Sequence, residues 1–66
     1  MNVIVNGEAC RLSNGTTVAR LVDELGRNPK GMAVAVNEEV VPRSMWRDVE
    51  LHPDDRVEVL TASQGG

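Results

Sequence analysis

The chain closes on Gly65 and Gly66, the pair of residues with the clearest chemical use in the sequence. A terminal carboxylate that is to react must enter a partner's narrow channel. Glycine has no Cβ, so its backbone can approach closely and adopt any φ/ψ. The carboxylate is inert toward nucleophiles because it lacks a good leaving group, and conversion to an acyl-adenylate supplies one. A sulfur nucleophile can then displace AMP and leave a thiocarboxylate on Gly66, with Gly65 giving access.

Other reactive side chains are few. The single cysteine, Cys10, cannot close an internal disulfide, and with the single histidine, His52, it gives no zinc-ligand spacing. A persulfide relay at Cys10 would need a basic neighbour, and alternation sends Arg11 to the opposite face; a strand cysteine more commonly fills apolar space. His52 precedes Pro53 with no nucleophile at motif spacing. Asp54 and Asp55 are adjacent and point apart, so His52 to Asp55 reads as a solvated turn. Gly26 and Gly31 have phosphate-loop spacing, but Met32 and Ala33 stand where Lys and Ser/Thr are required. The chain therefore carries no ATP site of its own and no nucleophile–base pair or metal set, and it does not read as an enzyme.

Composition narrows the classes further. With 66 residues the chain is one small domain that buries only about 60% of its unfolded surface. It has no staple, so regular secondary structure and one compact core must hold it. The net charge is −3, the basic residues are scattered and Trp46 is the only aromatic. That combination argues against nucleic-acid binding. The longest apolar run, Met32 to Val36, is five residues, far short of a membrane span. A free thiol and no basic, apolar leader point to the cytoplasm.

The elements that must position the terminal glycines are legible in order. Val3-Ile4-Val5 and Glu8 to Leu12 flank Asn6-Gly7, the strongest short hairpin signal, and predict strands at 2–6 and 8–12. Ser13-Asn14-Gly15 is a second turn. Thr17 is the expected N-cap of a helix over 18–25, with Val18, Leu21, Val22 and Leu25 forming one stripe. Gly26 suits the left-handed position after the helix, and Pro29 follows. Met32 to Asn37 alternates with period two, placing Val34 and Val36 on the core face and Ala33 and Ala35 on the other. Asn37 to Glu39 turns the chain, and Val40-Val41 is a short strand ended by Pro42. A helical turn at Ser44 to Trp46, a bridge at Val49 to Leu51 and a last strand from Arg56 to Thr61 complete the order, with Trp46 plugging one end of the core. The expected core is Val3, Val5, Leu12, Val18, Leu21, Val22, Leu25, Val34, Val36, Val57 and Val59.

This order predicts an α+β, ubiquitin-like β-grasp: a mixed sheet of about five short strands with one helix across one face. The body spans 1–61 and a flexible tail spans 62–66, where no side chain could anchor in a core. The other sheet face stays open. Alternation puts Ile4 and Leu60 on it with Ala33 and Ala35 between them, a candidate docking patch for a partner that takes the tail.

These segments carry a resemblance. Val3-Ile4-Val5-Asn6-Gly7, the helix from Thr17-Val18 to Leu25, Ala33 to Asn37, Val40-Val41-Pro42-Arg43 with Trp46, Asp55 to Val59 and Gly65-Gly66 together resemble the ThiS family, the sulfur carriers of thiamine biosynthesis. The Val-Asn, Val-Pro-Arg and Trp combination is the more specific part; the terminal glycines and the β-grasp are shared with the wider ubiquitin-like group. The family commonly has Gly where Asp54 stands, which implies a local turn difference.

The resemblance implies a protein co-substrate. An E1-like adenylyltransferase would use ATP and Mg to activate Gly66, a cysteine desulfurase route would supply sulfur, and thiazole synthase would consume the thiocarboxylate to build the thiazole of thiamine. Alternatives within the same fold are a carrier for molybdopterin or cysteine synthesis, a modifier joined to lysines through Gly66, and an interaction module whose tail is idle. A β-grasp ferredoxin would need four cysteines and is excluded.

Overall fold

A computed structural model of the chain describes residues 1–26 and 30–61. Five strands form one mixed sheet in the order β2-β1-β5-β3-β4: β1 Asn2–Val5, β2 Glu8–Arg11, β3 Met32–Val36, β4 Glu39–Val41 and β5 Arg56–Thr61. One helix, α1 (Val18–Glu24), and a 3-10 turn at Arg43–Met45 complete the elements. β1 and β5 run parallel, and the other neighbouring pairs are antiparallel.

Asn6 and Gly7 make the predicted tight turn. Their φ angles are 49° and 84°, as a type I′ hairpin needs, and they set the register Val5↔Glu8. Met1 and Leu12 exchange two further hydrogen bonds beyond the strand ends. A second hairpin of the same kind joins β3 to β4. Asn37 (φ 51°) and Glu38 (φ 71°) form its two-residue loop and pair Val36 with Glu39, so Glu39 belongs to β4 and not to the turn.

Thr17 caps α1 as expected: its Oγ1 accepts from Arg20 N–H at 3.2 Å. The other N–H groups that open the helix also have partners. Val18 N–H donates to Val49 C=O and Ala19 N–H to Trp46 C=O, both at 2.9 Å. These bonds, with the Thr17↔Glu50 bridge, fasten the connection after β4 to the start of α1. Gly26 follows the helix at φ 69°, the predicted left-handed stop.

The core lies between α1 and one sheet face. It comprises Val3, Leu12, Val18, Leu21, Val22, Met32, Val34, Trp46, Leu51, Val57 and Val59. Two expectations change. Leu25 is 37% exposed: as the C-cap it keeps helical backbone angles and donates its N–H to Leu21 C=O at 3.0 Å, but it stands at the open end of the helix, outside the buried core. Val5 and Val36 are only half-buried, at strand ends where the helix no longer covers them. Met32 and Leu51 take buried places instead. Trp46 plugs the end beside β4, its Nε1–H donating to Val41 C=O at 2.9 Å, with the Arg43 guanidinium 5.7 Å from its ring.

Candidate functional site

Gly65 and Gly66, and the expected tail at 62–66, lie outside the described residues. What the structure gives is the strand they follow. β5 is central, and its start is held from two sides. Asn37 N–H donates to Arg56 C=O at 2.7 Å, and Asn37 Oδ1 accepts from Arg56 N–H at 3.0 Å. Asn37 Nδ2 donates to Asp55 Oδ1, and Asp55 Oδ2 accepts from His52 N–H at 2.7 Å. Near its other end, Asn6 reaches across to the backbone of Val59. The asparagines of both hairpin turns thus grip β5. A turn asparagine is legible in sequence; which strand it reaches is not.

The open face of the sheet carries Ile4, Ala9, Ala33, Ala35, Val40, Arg56, Glu58 and Leu60 by register. The expected patch has a different layout. β5 lies between β1 and β3, so Ala33 and Ala35 do not separate Ile4 from Leu60. Ile4 pairs with Arg56, four residues from Leu60, a separation of roughly 13 Å along the strand. Charged Arg56 and Glu58 stand between them. Leu60 instead faces Ala33, and Ala35 faces Val40, giving one apolar group across β5, β3 and β4. Leu60 is 66% exposed and Val40 73%. Val40 was not among the expected docking residues; the two-residue loop that sets Ala35 opposite it is the signal that would have found it.

The remaining reactive groups do not assemble. Cys10 is half-buried against the core, opposite Val3, while Arg11 pairs with Asn2 on the other face. His52 is exposed in its turn, 3.9 Å from Asp55. Asp54 holds a positive φ of 69°, the backbone region that favours glycine, and carries its carboxylate into solvent. Among the described residues no three His, Cys, Asp or Glu side chains converge, and no helix is long and apolar enough to cross a membrane.

Known proteins share this arrangement. The crystal structure of the thiamine biosynthesis protein (ThiS) from Geobacter metallireducens superposes with a TM-score of 0.87 and 28% identity over the whole of both chains. A sulfur carrier protein ThiS of Thermus thermophilus is 39% identical over 64 residues, covering 97% of this chain and 98% of that one. A thiazole synthase of Paramagnetospirillum magneticum is 35% identical over 66 residues, but this chain spans only 20% of its length. A family model described as the ThiS family matches residues 3–66, which include both terminal glycines. By that match and by its mixed β-grasp sheet with a single covering helix, the chain belongs to the ThiS family.

Proposed function

We propose that this chain is a sulfur carrier for the thiazole of thiamine, a protein co-substrate that performs no catalysis itself. The observation that carries the reading is the family match running through Gly65 and Gly66. An E1-like adenylyltransferase, using its own ATP and Mg, joins AMP to the Gly66 carboxylate and releases pyrophosphate. A persulfide of a cysteine desulfurase route attacks the acyl-adenylate and expels AMP, giving an acyl disulfide. A thiol then cleaves its S–S bond, forming a new disulfide and releasing the Gly66 thiocarboxylate. Thiazole synthase then takes the sulfur. The free thiol of Cys10 and the thiol-dependent release of the thiocarboxylate suit a reducing compartment, so the reading includes the cytoplasm.

The chain's own contribution is presentation. A rigid sheet carries β5 toward the terminal residues, and the glycines leave no side chain to obstruct a channel. The apolar group of Leu60 on β5, Ala33 and Ala35 on β3 and Val40 on β4 supplies a docking face beside the end of β5, with Ile4 at the far side of the charged pair. Thiazole is favoured over molybdopterin or cysteine because a thiazole synthase contains a segment 35% identical to this chain. The test is transfer: the chain, loaded by an adenylyltransferase and a desulfurase, should sustain thiazole formation by thiazole synthase, and a chain lacking Gly66 should not. Thiazole formation that is indifferent to Gly66 would refute the reading.

A further inference from the structure

The two flanks of β5 are held differently. Toward β3 it pairs from Val36↔Val57 to Met32↔Thr61, out to its last residue. Toward β1 the ladder stops early. Ile4 and Val5 pair with Arg56 and Val57, Asn6 N–H donates to Val57 C=O at 2.9 Å, and the chain then turns away at Gly7. Val59 is left facing that side with both its backbone polar groups, and one side chain meets both. Asn6 Oδ1 accepts from Val59 N–H at 2.8 Å, and Asn6 Nδ2 donates to Val59 C=O at 3.2 Å. A carboxamide has the donor and acceptor pattern of a peptide group. Asn6 therefore adds a rung to the parallel ladder after the strand itself has ended.

We propose that Asn6 is a positioning residue: its amide secures the β1 flank of β5 at Val59, adding to the β3 pairing of Val59 to Thr61, so that the strand end is presented in one fixed position to the adenylating partner. The proposal rests on the carrier reading. Two roles coincide at Asn6, and chemistry separates them. The turn asks only for a residue tolerant of φ 49°, which glycine satisfies at least as well. The rung asks for a short carboxamide. Asn6→Gly keeps the turn and deletes the rung. Asn6→Asp also tolerates this backbone and keeps the acceptor for Val59 N–H, but it sets a carboxylate oxygen against Val59 C=O.

Without the rung the strand end keeps its β3 pairs but is loose on its β1 flank, and a partner that binds the loosened end must order it first, which weakens binding without altering the step that follows. In Asn6→Gly, exchange of the Val59 amide proton should therefore quicken about tenfold. The KM for the full chain as substrate of an E1-like adenylyltransferase should rise by about three- to tenfold, with kcat unchanged. Thr17→Ala, which loses a helix cap remote from β5, is the control for general destabilisation and should leave that KM unchanged. If Asn6→Gly loses its hairpin, Asn6→Asp carries the kinetic measurement alone, because its carboxylate still accepts from Val59 N–H, and should show the same rise in KM with kcat unchanged. Unchanged Val59 exchange in Asn6→Gly, an unchanged KM, or an equal rise in Thr17→Ala would overturn the proposal. Wild-type chain that is not adenylated would overturn the carrier reading and the positioning role with it. Val59 exchange, measured without any partner, tells that failure apart from a missing rung.

Discussion

Replacing Leu60 by Asp tests whether the open face of the sheet docks on a partner. Leu60 is the large apolar residue nearest the end of β5, and it is 66% exposed. Burying a whole leucine side chain is worth about 1.5–3 kcal/mol, so a partner that covers the exposed two thirds gains about 1–2 kcal/mol from this residue. Its loss corresponds to about a five- to thirtyfold weaker Kd. The carboxylate pushes the effect toward the upper end, because it would be desolvated beside Glu58, two residues away on the same face. The fold should survive. Only the buried third of the side chain is lost, and the weaker strand preference of Asp adds at most about 1 kcal/mol. Together these cost about 0.5–2 kcal/mol, and for a domain this small the melting temperature falls by roughly 2–16 °C. Titration calorimetry at 20 °C against an adenylyltransferase and against thiazole synthase, with circular dichroism as the folding control, reads the result. A folded variant that binds both partners within twofold of wild type would refute the docking role of this face.

Three further outcomes follow from the geometry. Glu38→Gly should stabilise the chain by about 0.5–1 kcal/mol, raising the melting temperature by a few degrees, because Glu38 holds φ 71° at a Cβ cost that glycine avoids; an equal or lower melting temperature would contradict it. Trp46→Phe keeps most of the apolar volume but leaves Val41 C=O without its indole donor, and should cost about 1–3 kcal/mol in denaturant melts. Cys10→Ala should load sulfur at the wild-type rate, since Cys10 packs against the core with Arg11 on the opposite face; a loading defect in a folded variant would restore the relay.

Local chemistry was legible and lateral order was not. Asn6-Gly7, the Thr17 cap, Gly26 and the alternation of Val57 and Val59 each depend on a few consecutive residues, and each falls where it was expected. Alternation assigns a side chain to a face, but it does not say which strands are neighbours. That is why Ile4 and Leu60 were joined into one patch that β5 and its charged residues divide. In sequence the β3–β4 turn reads as Asn37 to Glu39, one residue too long, because glutamate is a poor signal for positive φ, and without the register Val40 falls outside the expected patch. Leu51 sits in an irregular segment, buried because its N–H donates to Thr16 C=O at 2.8 Å, and no period marks it. Leu25 continued the helical stripe in sequence after the helix itself had ended. At Asp54, where the family resemblance implied glycine, the aspartate takes up glycine's backbone region.

The central claim is that sulfur is carried on the carboxylate of Gly66. The intact mass of the full chain, incubated with an E1-like adenylyltransferase, ATP, Mg and a persulfide source, tests it most directly. The account predicts a shift equal to one oxygen replaced by one sulfur, located on the C-terminal peptide and absent when ATP is withheld or Gly66 is removed. An unshifted mass with an adenylyltransferase that loads another carrier in the same reaction would contradict it.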